Sequence, residues 1–250
     1  MSWFREGDES NQENIFLISG GKKGALYQWK RSKEYLISEK ILSLPPVYGK
    51  IKGILTIEPE HKLPRHFTNT SVRCITKCVK GCTEKHQVNE EKIPYLVATD
   101  DGCIHQCSLE YYHHHHLDYF RAHNGPINSL AVNYFSDKVF LTCGADFSVH
   151  IWALGVQYPL ITLSHEMESV ECAVWSKSHP TIIASISGKT LYIWDIQCKS
   201  RDPVTKFQNP KNHQLTSVSF SLEERNILIG DIDGNLLVYH VEDLPIVPHF

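Results

Sequence analysis

The sequence has no apolar run long enough to cross a bilayer as a helix. Its longest stretch free of Asp, Glu, Lys and Arg is the 19 residues from Phe147 to His165, which carry His150, Gln157, Pro159 and His165. A spanning helix needs about 20 predominantly apolar residues, so none is expected and membrane partners are set aside. There is no basic excess either. The 25 Lys and Arg against 28 Asp and Glu leave a net charge of −3, which argues against a broad electrostatic nucleic-acid binder. The opening MSWFREGDES lacks the basic and apolar regions of a secretory signal, so a cytosolic setting is expected. No strong segment repeats apolar residues at i, i+3, i+4 and i+7, so helices should be minor. Yet 42% apolar and 21% charged residues fit a globular chain. At 250 residues it can bury a core without disulfides or metals.

Motifs for chemistry are scarce too. Eight cysteines stand at 74, 78, 82, 103, 107, 143, 172 and 198. In a reducing compartment they are expected as free thiols. The spacings Cys74-x3-Cys78-x3-Cys82 and Cys103-x3-Cys107 lack the paired His of a zinc finger. Cysteines four apart in a strand also lie about 13 Å apart, too far to share one ion, so no metal site is expected and the thiols read as small apolar core residues. Gly188-Lys189-Thr190 looks like the end of a phosphate-binding loop. That loop would need Gly where Ile183 stands, and a helix where the strand-like LYIW follows. No G-x-S-x-G, H-E-x-x-H or EF-hand pattern occurs. The expectation is no catalytic residue, no cofactor and no small-molecule substrate. The run His113–His116 reads as an exposed loop before an outer strand at 117–121, although imidazoles in a row can bind metal or respond to pH.

What the sequence does have is repetition. GKKGALYQW (21–29), DDGCIHQC (100–107), ADFSVHIW (145–152), SGKTLYIW (187–194) and DIDGNLLVY (231–239) each place a tight turn before an apolar strand. These strands end at Trp29, Cys107, Trp152, Trp194 and Tyr239, spaced 78, 45, 42 and 45 residues apart. A second strand precedes each turn: IFLIS, YLVAT, VFLTC, TIIAS and NILIG. Further upstream, Val132, Trp175 and Phe220 hold matching places in a third. The strands are nearly continuous apolar runs, as expected when sheets cover both faces. Gly and Asp at the turns supply positive φ.

A repeat of about 40–45 residues with a Trp-Asp ending, literal at Trp194-Asp195, is the WD40 β-propeller pattern. The expected fold is all-β: one propeller region over 1–250 with five repeats at about 1–43, 68–124, 125–168, 169–212 and 213–241. Proline-rich residues 44–67 and charged residues 80–92 read as insertions that lengthen the second interval, and 242–250 as a tail. The third repeat carries His123, Thr142, Asp146 and Trp152. These are residue types that can satisfy one another in a buried structural tetrad, and the repeat context favours that role over a nucleophile triad. Partial tetrads are expected around His165, Ser185 and Trp194 in the fourth repeat and around Asp233 in the fifth, where Tyr239 and Ile229 replace Trp and Thr.

Several segments also resemble the dynein intermediate chain family, axonemal members in particular. They are GCIHQCS, YFRAHNGPINSL with VFLTCGADFSVHIW, SVECAVWSKSHPTIIASISGKTLYIWDI, LTSVSFSLEERNILIGDIDGNLLVYHV, and the opening MSWF with FLISGGKKGALYQW. The resemblance spans about residues 1–245. It implies a seven-bladed propeller, of which five repeats would be an incomplete part. It also implies a non-catalytic subunit that docks on the dynein heavy chain beside another intermediate chain in the ciliary axoneme. Light chains would bind only through an arm that this chain lacks. The competing reading is a generic WD40 adaptor that presents peptide or protein partners in another cytosolic complex.

Overall fold

The computed structural model describes residues 2–7, 13–32, 35–44, 70–77, 94–108, 116–199, 201–221 and 226–241. These form nineteen strands and no helix. The strands make five antiparallel meanders, and each sheet follows chain order. Sheet one holds β1 (Ser2–Gly7), β2 (Glu13–Gly20), β3 (Ala25–Ser32) and β4 (Tyr35–Ser43). Sheet two holds β5 (Val72–Lys77), β6 (Pro94–Thr99), β7 (Cys103–Ser108) and β8 (His116–Arg121). Sheet three holds β9 (Ile127–Val132), β10 (Val139–Gly144), β11 (Ser148–Ala153) and β12 (Ile161–Ser164). Sheet four holds β13 (Val170–Trp175), β14 (Ile182–Ser187), β15 (Thr190–Asp195) and β16 (Thr205–Gln208). Sheet five has three strands among the described residues: β17 (Leu215–Phe220), β18 (Asn226–Asp231) and β19 (Leu236–His240). The segments 45–69 and 78–93, within which most of both expected insertions fall, and the tail 242–250 lie outside the described residues, as do His113–His115. His116 already belongs to β8 and pairs with Cys107, so the outer strand starts one residue earlier than the sequence suggests.

Consecutive sheets stack as propeller blades, with β5 against β9, β9 against β13 and β13 against β17. The two faces of each strand serve different neighbours. In β10, Leu141 and Cys143 point into sheet four, and Phe140 points into sheet two. This is why the strands read as unbroken apolar runs instead of alternating ones. In sheets three, four and five the third-strand aromatic packs on the sheet before it. Trp152 lies against Leu96, Ile104 and Phe120 of sheet two, and Trp194 lies against Leu141, Val149 and Leu163 of sheet three.

A second device locks the stack. The first strands of sheets two to five each shift register at one point, leaving Arg73, Asn128, Glu171 and Thr216 as the extra residues of β-bulges. Asn128 uses its bulge to bridge sheets. Its Nδ2 donates to Ser169 Oγ and to the Val170 carbonyl, both at 3.0 Å, while its Oδ1 accepts from Arg73 Nη2 at 3.0 Å.

Candidate functional site

Sheet three brings His123, Thr142, Asp146 and Trp152 together. His123 Nδ1 lies 2.7 Å from Asp146 Oδ1, and its Nε2 lies 2.7 Å from Thr142 Oγ1. Trp152 Nε1 donates to the same Oγ1 at 2.8 Å. One proton arrangement satisfies every atom with a neutral imidazole. Nδ1–H donates to the carboxylate, the Thr142 hydroxyl donates to Nε2, and its oxygen accepts the indole N–H. Asp146 also accepts the Asn124 amide at 3.0 Å and the Ser148 hydroxyl at 2.8 Å. Burial pushes its carboxyl up, but the His123 hydrogen bond, with these two donors, outweighs that and holds the pKa well below the usual range. As nucleophilic machinery the set is closed. Thr142 is fully buried, and its hydroxyl is spent on two partners.

Sheet four repeats the arrangement without its acid. His165 Nε2 meets Ser185 Oγ at 2.7 Å, and Trp194 Nε1 donates to that oxygen at 2.9 Å. The turn here is Ser187-Gly188-Lys189 at the mouth of a hairpin, and no carboxylate meets His165 Nδ1. Burial lowers the His165 pKa to about 4, against the opposing pull of the Leu163 carbonyl. Gly188, at φ 54, leads straight into β15, so the backbone after Lys189 is a strand and not the helix N-terminus that a phosphate loop requires.

Sheet one contains a third copy of the indole contact: Trp29 Nε1 donates to Ser19 Oγ at 2.7 Å. The sequence signal for it was present and went unread, because Ser19 precedes Trp29 by the same ten residues that separate Thr142 from Trp152. Sheet two has Asp101 in the turn, accepting from Thr99 and Thr70 hydroxyls and the Cys103 amide. In sheet five, Asp233 does not join Tyr239 or Ile229. It sits half-exposed in the turn, 2.7 Å from His213 Nδ1. The buried acid of that turn is its neighbour Asp231, which accepts the Asn235 amide at 2.8 Å, the Asn235 side chain at 2.9 Å and the Asp233 amide at 3.1 Å.

Three potential metal donors, from His123, Asp146 and His150, lie within 4.8 Å of one another. Each imidazole nitrogen is already engaged: His150 Nδ1 is 3.0 Å from Thr162 Oγ1, and its Nε2 is 3.1 Å from Ser148 Oγ. The donor set is therefore that of a hydrogen-bonded cluster and not of an open coordination site. Burial, and then the neighbouring His123, lower the His150 pKa to about 4. The described cysteines are free thiols. Burial pushes Cys103 and Cys107 up to about 12 and Cys143 well above its usual value, so these thiols are packing groups rather than ligands or nucleophiles. Cys78 and Cys82 lie outside the described residues.

Comparison with known proteins completes this picture. Residues 115–153 and 157–195 match the family described as WD domain, G-beta repeat. Dynein axonemal intermediate chain 4 of Xenopus laevis is 34% identical over 139 residues, covering 56% of this chain and 19% of that protein. Its Mus musculus counterpart is 34% identical over 152 residues, 60% of this chain and 19% of the relative. The ciliary dynein intermediate chain 2 of Heliocidaris crassispina aligns over 239 residues at 29% identity, covering 94% of this chain and 31% of the relative. The chain thus carries WD40 repeats and is similar to axonemal dynein intermediate chains. It spans about a fifth of the length of the first two of these relatives. A solved chain from a crystal structure of the mitotic checkpoint complex superposes with a TM-score of 0.63 at 16% identity, over 91% of this chain and 58% of that one, a likeness of fold alone.

Proposed function

We propose that this WD40 chain is a non-catalytic scaffold subunit of an axonemal dynein, docking on the heavy chain beside a second intermediate chain in the ciliary cytoskeleton. Its similarity to a ciliary dynein intermediate chain along 94% of its length carries this reading, beside that to axonemal chains over 56–60%. The geometry supports it. The polar residues that resemble a triad are committed to one another inside the blades, so they serve as structural tetrads or their remnants, full around His123, Thr142, Asp146 and Trp152 and partial around His165, Ser185 and Trp194. Loops from successive blades then converge on a rigid surface, which lowers the ordering cost of a large interface. With a net charge of −3, affinity should come from loop side chains and apolar anchors more than from long-range steering.

The test is co-precipitation from a ciliated-cell extract. Recovery of dynein heavy chain with a second intermediate chain is expected. Recovery of ubiquitin-ligase or chromatin components without dynein would favour the generic adaptor instead. A second expectation follows from the strand after Lys189: calorimetry should show no ATP binding, and stoichiometric binding abolished by Lys189→Ala would overturn it.

A further inference from the structure

Sheets three and four each have a neighbouring sheet on both sides, and their loops at one edge are tied into a single surface. Register decides which loops meet. Val139 pairs with Ala153 and Ile182 with Asp195, so in each sheet the turn after the first strand lies beside the loop after the third. Backbone hydrogen bonds join these neighbours. The Leu154 amide donates to the Lys138 carbonyl at 2.7 Å in sheet three, and the Ile196 amide donates to the Thr181 carbonyl at 3.1 Å in sheet four. Between the two sheets, buried Asn133 is the clamp. Its Nδ2 donates to the Pro180 carbonyl at 3.0 Å, while its Oδ1 accepts the Phe135 and Ser136 amides at 2.8 and 3.2 Å.

This fixed surface carries apolar side chains that no core cluster uses. Tyr134 is 60% exposed and Phe135 53% on the clamped turn, and Tyr158 and Leu160 are 67% and 50% exposed on the adjoining loop. Aromatic groups on a backbone already held in place bind at low ordering cost. The same loops carry Lys138, Lys177, Lys199 and Arg201 against only Asp137 and Asp202, in a chain whose net charge is −3. Asp195 does not offset them, since it is buried and accepts the Gln197 amide of its own turn at 3.0 Å. None of the four cations forms an ion pair with a described residue.

We infer that this surface of sheets three and four receives an acidic segment of a partner protein, its apolar side chains seated on Tyr134, Phe135 and Tyr158 and its carboxylates on the surrounding cations. Charge of opposite sign around an apolar centre is the arrangement that guides and orients such a segment. A phosphate surface, lipid or nucleic acid, fits less well, because Asp137 and Asp202 stand among the cations and would face its unbroken negative charge. The inference rests on the scaffold reading above and adds the docking surface to it, but it does not require the partner to be a dynein.

The probe is a fluorescein-labelled synthetic peptide rich in Glu and bearing Leu and Phe, titrated with the full chain and followed by anisotropy. Saturable binding that weakens with added salt is expected, and the same peptide with Lys in place of Glu should not bind. Tyr134→Ser with Phe135→Ser should weaken binding roughly tenfold by removing the anchors, and Lys138→Glu with Lys199→Glu should do so by reversing the charge. All four side chains are exposed, and circular dichroism checks that each variant is folded. Absence of binding would overturn the inference, as would binding unaltered in both folded variants. So would tighter binding of phosphatidylserine vesicles or single-stranded RNA than of the peptide, or self-association of the chain that the same variants abolish. Heavy chain co-precipitated equally by wild type and both variants would remove this surface and leave the dynein reading standing. Peptide binding with the expected variant losses, in a chain that recovers no dynein, would do the reverse.

Discussion

Trp152 shows how much one side chain carries in this fold. Its indole packs at 5.1 Å from the Phe120 ring and 6.3 Å from that of Phe140, and its N–H ends the relay through Thr142 and His123 to Asp146. Trp152→Ala should cost about 3–5 kcal/mol from the cavity and the stranded hydroxyl together. Tyr239, the matching residue of sheet five, is only partly buried and packs on Phe207 at 4.5 Å. No tetrad surrounds it, so Tyr239→Ala should cost distinctly less. Equal shifts in urea midpoint for the two variants would contradict that ranking. The imidazoles set a pH dependence as well. His150 and His165 have folded pKa values of about 4, below the ordinary 6.5. The unfolded chain therefore binds more protons between those values, and stability falls as pH drops from 6.5 to 4. Below pH 4 these two residues add no further loss, while Asp146, held low by His123, begins to contribute its own. Melting temperature should be flat from pH 8 to 7 and decline below 6.5. Replacing His150 with Gln should shallow the decline, and a melting temperature that rises on acidification would contradict the assignment.

At the scale of elements, turns connect one sheet to the next, and glycine matters where backbones meet. Gly102 sits at φ 81 in the turn between β6 and β7, and its carbonyl accepts the amides of Ala122 and His123 at 2.8 and 3.0 Å. A Cβ there would lie 2.3 Å from the His123 carbonyl oxygen and 2.7 Å from that of Gly125. Gly234 has the same φ of 81 in the turn between β18 and β19, with nothing within 4 Å of a Cβ. Gly102→Ala should thus cost about 2–4 kcal/mol, from strain plus displaced backbone, and Gly234→Ala only about 1 kcal/mol. Thermal denaturation of the pair measures the difference, and equal costs would show that the close approach is immaterial. These elements also show what the sequence discloses. Strands and hairpins were legible because Gly and Asp punctuate apolar runs at a period of about 43 residues. The bulges at Arg73, Asn128, Glu171 and Thr216 were not, since each is a register shift fixed by the partner strand and leaves no mark on local pattern. Asp231 and His213 were missed for a related reason. The register of β17 against β18 decides which acid of DIDG is buried, and spacing alone pointed to Asp233.

The molecule as a whole is an ordered stack whose middle differs physically from its ends. Sheets two, three and four are each covered on both faces, and β14 is buried along its whole length. Among the described residues, sheets one and five each have one covered face, and β4 and β19 are outer strands with exposed residues along them. Amide exchange follows the free energy of local opening, which rises with the apolar area that must be uncovered. Opening β14 uncovers both of its junctions, whereas fraying β19 uncovers only part of one. In hydrogen–deuterium exchange, protection should therefore be greatest in β10 and β14 and should fall through β18 to β19. Protection of β19 equal to that of β14 would mean that exposure among the described residues does not govern local opening, and the gradient from middle to ends would not exist.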